Sequence, residues 1–280
     1  MTQTAVSEPG APARPLSIVV CIKPVPDPRQ WSKLKLDPET MLLCRAEIPP
    51  VINPLDRNAM EAAVSLREQF GGVVRALTMA PADAEDQLME AVAAGCDEAY
   101  LLTDRAFAGG DTLATAHCLA AAIRRIGAVD LVFCGGYSLD GSTHQVGPQL
   151  AELLDLPDFT LATQLEVEAD GQVRAWCKVE GGEARYEGSL PALVTVAQEL
   201  NHPRLPSMTG LRRAATMSVT RWTAADLGVD PGEVGLLGSP TQMLNVTPAP
   251  GGRKGEILQG PADEIAARLI DRLRAERVLS

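Results

Sequence analysis

The stretch Leu131-Val132-Phe133-Cys134-Gly135-Gly136-Tyr137-Ser138-Leu139-Asp140-Gly141-Ser142-Thr143-His144-Gln145-Val146-Gly147-Pro148 decides how this chain is read. Four apolar residues form a strand buried on both faces, as strands of a parallel sheet are. Two glycines follow, then a loop of small and hydroxylated residues, then a helix over about Gln145–Leu154. Ligands of open α/β sheets bind at such a place, where a parallel strand ends and its chain turns into a helix. Small residues let a backbone approach a phosphate closely, and hydroxyls with helix-end N–H groups can donate to it.

Working outward, the same rhythm recurs. Leu16–Ile22 is another unbroken apolar run. Asn53-Pro54-Leu55-Asp56 reads as a helix start, with Asn53 as N-cap, Pro54 in the first helical position and Asp56 as its N3 acid. The stripe Met60, Ala63, Val64 faces a core, and Gly71-Gly72 closes the helix. A strand over Val73–Met79, a helix opened by Pro81 and closed by Gly95, and a short strand over Ala99–Leu102 follow. Asp111 caps a helix from Thr112 to Ile126, which Gly127 stops. Strands alternating with helices predict an α/β fold, Rossmann-like, with a mainly parallel sheet.

The pattern then changes. Thr163–Ala169 and Val173–Val179 alternate around Asp170-Gly171, predicting an inserted β-hairpin, and Leu190–Ala197 returns to the sheet. After Asn201 the βα rhythm is lost. A long arm rich in Pro and Gly ends in an amphipathic helix over Pro261–Leu279, with Ile265, Leu269 and Leu273 along one side. The expected organisation is a disordered lead-in over residues 1–15, a nucleotide-binding α/β domain over 16–213, and an arm over 214–280.

Composition narrows the function. With apolar residues at 46%, charged residues at 22% and a net charge of −11, the chain is globular and is not expected to bind nucleic acid, which calls for a basic face. No apolar run nears the roughly 20 residues of a membrane span. The lead-in lacks the apolar core of a secretory signal. Six scattered cysteines (Cys21, Cys44, Cys96, Cys118, Cys134, Cys177) without a C-x-x-C pair argue against a metal or iron–sulfur centre and fit a reducing, cytoplasmic setting. Cys21 and Cys134 read as buried reduced thiols in apolar strands. There is no G-x-G-x-x-G, no Walker loop and no local nucleophile–base set. His117 reads as structural.

The order of residues from Gly135 to Gly147 resembles the beta subunit of electron-transferring flavoproteins, whose motif at this strand exit is G-x-Q-A-x-D-x-D-x-x-Q-x-G. The resemblance runs from about Leu16 to Arg274. It is carried further by Cys21-Ile22-Lys23-Pro24-Val25-Pro26-Asp27, by Asn53-Pro54-Leu55-Asp56, by Asn201-His202-Pro203-Arg204 and by Gly238-Ser239-Pro240-Thr241.

The resemblance implies an electron-carrying subunit that turns over no substrate of its own. It implies a heterodimer with an alpha subunit bearing FAD, and an adenine nucleotide on this chain, either AMP or a second FAD. It places Cys21, Asn53, Asp56 and Met79 around the adenine end and Gly135, Asp140, Gly141, Ser142, Thr143, Gln145 and Val146 around ribose and phosphates. Asp104–Thr115 resembles D-R-A-F-A-G-x-D-T-x-A-T of the electron-bifurcating, FAD-binding branch, adding Asp111, Thr112 and Thr115. Asp140–Pro148 resembles that branch's D-G-D-T-x-Q-V-G-P, whereas AMP-type members tend to D-D-D-x-N-Q-T-G. The chain departs from the branch at Gly136, where arginine is usual, and at Ser142, where an acid is usual. Asn201–Arg213 corresponds to a loop that docks partner dehydrogenases, of acyl-CoA or other flavin type, with Met208 at its anchor position. The competing expectation is a non-redox adenine-nucleotide sensor of similar fold, which would have no need of the long arm.

Overall fold

The computed structural model of the chain describes residues 15–33, 48–242 and 255–279. Nearly all of the lead-in assigned to 1–15, and Cys44, lie outside them. Two compact units are present, Met1–Met243 and Leu244–Ser280.

The first unit begins with β1 (Leu16–Cys21), a small antiparallel pair β2 (Pro24–Pro26) and β3 (Pro50–Ile52), and α1 (Pro54–Phe70). Then come β4 (Gly72–Met79), α2 (Glu85–Ala94), β5 (Glu98–Leu102), α3 (Thr112–Ile126), β6 (Leu131–Gly135) and α4 (Val146–Leu154). Three antiparallel strands follow, β7 (Asp158–Val167), β8 (Gln172–Val179) and β9 (Gly182–Ser189), before β10 (Ala192–Val196). The unit closes with α5 (Met208–Ala214), β11 (Thr220–Trp222) and α6 (Ala224–Leu227). The second unit holds α7 (Ala262–Ala275), whose Leu269 and Ile270 side chains are exposed.

Among the described residues, nine strands form one sheet in the order β11-β5-β4-β1-β6-β10-β7-β8-β9. β1 pairs in parallel with β4 on one side and with β6 on the other. The chain order thus reverses between β1 and β6, and a topological switch point of this kind opens a crevice beyond the carboxyl ends of the two strands. The central strands carry almost no solvent-exposed surface because helices cover both faces. Burial of Ile18, Val20 and Phe133 on one face, and of Val19, Val132 and Leu193 on the other, explains the unbroken apolar runs in the sequence.

The Asp170-Gly171 hairpin joins β7 and β8. Four strands were not expected: the short pair β2 and β3, and also β9 and β11. β9 is exposed along most of both faces, so its sequence lacks the apolar alternation that marks a half-buried strand. β11 is only three residues long and extends the sheet in parallel beside β5. The helix expected to open at Pro81 starts as a 3-10 turn over Ala82–Ala84 and becomes α-helical at Glu85.

Candidate functional site

Asn53 stands at the N-cap position of α1, but its side chain makes no cap hydrogen bond. It is wholly buried and turned toward the Gly135–Pro148 loop. Its Nδ2 donates to the Tyr137 carbonyl at 2.9 Å and to Asp56 Oδ1 at 3.1 Å, while its Oδ1 accepts the Leu139 N–H at 3.1 Å. The expected cap is therefore a tie between the helix and the loop. α1 enters its first turn through Pro54, whose fixed φ suits it.

Asp56, one turn into α1, receives three N–H donors. Its Oδ2 accepts the Lys23 amide at 2.7 Å, and its Oδ1 accepts the Gly135 amide at 3.1 Å besides Asn53. These bonds fasten the ends of β1 and β6 to one carboxyl. Burial pushes Asp56 up to about 7, and the donors from Asn53, Lys23 and Gly135 act in the opposite direction. The approach is so close that a Cβ on residue 135 would stand 2.2 Å from Asp56 Oδ1, so only glycine fits.

The loop beyond β6 is compact. Ser142 and His144 adopt left-handed backbone, with φ of 48° and 58°. The Tyr137 and His144 rings lie 4.5 Å apart, tilted by 35°. Lys23 Nζ donates to Asp140 Oδ1 at 2.7 Å and to Ser138 Oγ at 3.2 Å, which sets an ammonium group at the crevice wall.

α3 presents a capped end. The Asp111 carboxylate accepts N–H bonds from Leu113, Ala114 and Thr241, each at 3.0 Å. Burial raises this carboxyl, but the donors from Ala114, Thr241 and Leu113 outweigh it, and Asp111 sits below the ordinary carboxylate range. Its own N–H donates to Ser239 Oγ at 2.8 Å. Those first-turn N–H groups are thus already used, and a carboxylate neutralises the helix end. α4 differs, because it begins at Val146 with no side-chain cap. Across the gap between the two helices, the Thr112 hydroxyl donates to Gln145 Oε1 at 3.0 Å.

These elements enclose a crevice of about 480 Å³, within the range of small-molecule sites. Cys21, Asp56, Met79, Asp111, Thr112, Thr115, Gly135, Gly141, Thr143, Gln145 and Val146 line it. The other three expected residues are not part of the lining. Asn53 ties the loop, Asp140 holds Lys23, and the Ser142 hydroxyl donates to the Ser138 carbonyl. Sequence reasoning missed Lys23, Cys134, Ile22 and Leu119 as lining residues. Lys23 stood inside a recognised motif, and its position two residues after the end of β1 was the available signal.

The segment 201–213 is pinned to the domain at several points. Asn58 Nδ2 donates to the Asn201 carbonyl at 2.9 Å, and Asn201 Nδ2 returns a bond to the Asn58 carbonyl at 2.9 Å. Arg204 forks onto Glu61 and Glu68, which holds the Glu68 carboxyl below its ordinary range. Arg213 donates to the Val92 and Cys96 carbonyls. From this fixed frame Leu205 (87% exposed), Met208 (71%) and Leu211 (48%) point outward. Sequence reasoning missed Leu205 and Leu211.

Fold and site define an α/β protein with a crevice at the switch point of a mainly parallel sheet. The sequence matches the electron transfer flavoprotein domain over residues 40–227. It is 44% identical to the electron transfer flavoprotein subunit beta of Thermoanaerobacterium thermosaccharolyticum, over 94% of this chain and all of the relative. It is 38% identical to the caffeyl-CoA reductase-Etf complex subunit CarD of Acetobacterium woodii, over 94% and 100%, and 41% identical to the protein FixA of Azorhizobium caulinodans, over 92% and 95%. The chain belongs to the electron transfer flavoprotein family, in its beta-subunit class. Its work is electron transfer as one half of a heterodimer with an alpha subunit. Among the described residues no helix is long and apolar enough to cross a membrane, and no cluster could hold a metal ion.

Proposed function

We propose that the crevice holds the adenine nucleotide of this subunit and that the nucleotide is FAD in preference to AMP. The observation that carries the reading is the convergence of residues from four separate motifs on one crevice at the sheet's switch point. The residues fit a phosphorylated ligand. Lys23 supplies a cation, Ser138 and Thr143 supply hydroxyls, and the uncapped α4 end supplies N–H groups beside Gly141 and Gln145. The phosphates belong at α4, because Asp111 already caps α3. Cys21, Met79 and Leu119 offer the apolar wall an adenine ring needs.

FAD bound here would supply reversible uptake of one or two electrons. The chain's own residues bind, orient and enclose it. Asp56 and Asn53 fix the loop, and Asp140 with Ser138 fixes the Lys23 ammonium group. The Asp104–Thr115 and Asp140–Pro148 motifs favour FAD.

Met208, on its pinned segment, docks the partner dehydrogenase, and α7 docks the alpha subunit. The deciding measurement is cofactor released per purified heterodimer. Two FAD and no AMP uphold the reading, whereas one FAD with one AMP overturns the preference for FAD.

A further inference from the structure

Cys21 and Cys134 face each other in the register of β1 and β6. Both are buried in the same apolar cluster, yet both line the crevice. Facing residues on neighbouring strands lie about 4.7–4.9 Å apart, inside the span of about 4.4–6.8 Å over which disulfides join Cα atoms. The remaining described cysteines, Cys96, Cys118 and Cys177, are buried away from the crevice lining.

We propose that Cys21 and Cys134 form a redox-active dithiol at the floor of the crevice, which a small peroxide oxidises to an intramolecular disulfide unless a bound nucleotide covers it. The covering rests on the nucleotide reading given above; the dithiol itself does not. The neighbouring Cys21 thiol, burial and the nearby Asp56 carboxyl hold the proton on Cys134, which leaves Cys21 to make the first attack. Its sulfur bonds to one peroxide oxygen, the O–O bond breaks, and water leaves once the departing oxygen is protonated. The Cys134 sulfur then displaces the hydroxyl from the Cys21 sulfenic acid, forming the S–S bond and a second water. Two thiols and one hydrogen peroxide give one disulfide and two waters, and two electrons pass from sulfur to peroxide.

The test uses the full chain in its heterodimer, freed of nucleotide by gel filtration in concentrated salt, then treated with hydrogen peroxide and mapped under non-reducing conditions. A cross-linked peptide pair containing Cys21 and Cys134, reversed by dithiothreitol and absent from Cys21→Ser and Cys134→Ser, is the expected result. With AMP or FAD added at well above its dissociation constant, the yield should fall about tenfold or more. Failure of the stripped protein to form this cross-link, or cross-links spread evenly over the other cysteines, overturns the dithiol. An equal yield with and without nucleotide leaves the dithiol standing and overturns the nucleotide reading of the crevice.

Discussion

Asn53 donates its side-chain amide to the Tyr137 carbonyl at 2.9 Å, joining positions 84 residues apart. Residue 53 therefore shapes the crevice without lining it. Asn53→Ala would leave the Tyr137 carbonyl and the Leu139 N–H without their partner, at a cost on the order of 1–3 kcal/mol. Nucleotide affinity should fall further than stability does, because the loop is what loosens. Isothermal titration alongside thermal melting of the heterodimer separates the two effects, and equal losses in both would refute the tie.

A second expectation concerns pH. The Asp56 carboxyl, raised to about 7 by burial, binds its proton more tightly in the folded chain than in the unfolded one. Its contribution to stability is complete below the ordinary value of 3.8 and is lost as pH rises through about 7. Over that interval it should lower stability by up to about 1.4 kcal/mol per pH unit. Denaturant titrations of nucleotide-free heterodimer across this range should show the slope, and Asp56→Asn should flatten it even if its overall stability is lower.

Gly136 tests whether one lost charge can simply be restored. A Cβ at position 136 would stand 2.3 Å from Leu161 Cδ2 and 3.0 Å from the Val196 carbonyl oxygen. Leu161 has left-handed backbone, with φ of 58°, and its N–H donates to Thr195 Oγ1 at 2.8 Å where the β10–β7 register shifts. Gly136→Arg alone should destabilise the chain by about 1–3 kcal/mol, as overpacking does. Adding Leu161→Ala should recover part of that loss. Additive effects in the double variant would show that the two residues do not compete for space.

Docking of a dehydrogenase gives a fourth expectation. Met208→Ala should slow electron transfer by weakening the encounter, by about 1–3 kcal/mol if Met208 is an interface anchor. Leu205→Ala should act in the same sense, and bound nucleotide should be unchanged in both. Rates measured over a range of dehydrogenase concentrations decide it: an unaltered half-saturation point removes Met208 from the interface.

Deleting residues 255–280 should prevent co-purification with the alpha subunit. The motive is α7, which exposes Leu269 and Ile270. Recovery of the truncated chain with its partner at full yield would dismiss this role.

The sequence made the central sheet readable because strands buried on both faces are written as unbroken apolar runs, as at Leu16–Cys21 and Leu131–Gly135. Gly71, Gly95 and Gly127 marked helix ends because each takes a positive φ there. β9 was not legible, since Glu183, Arg185 and Glu187 meet solvent and leave no periodicity. The crevice was legible wherever glycines, hydroxyls and acids cluster in sequence. Lys23 escaped notice because its role depends on Asp140 and Ser138, which approach it only after folding. Asn53 looked like an ordinary cap because local sequence cannot show that a loop 84 residues away claims the same amide.

A sheet this wide has two rims, and each invites a neighbouring molecule to add a strand. One rim is β11, which offers only three residues of backbone. The other is β9, where Arg174 and Arg185 both reach Glu187 in a mixed-charge surface. A second chain pairing there in register would bring like charges together or strip them of water. The charges along this rim therefore oppose edge-to-edge polymerisation. Replacing Glu183, Arg185 and Glu187 with valine would convert that rim into a seed for fibrous assembly.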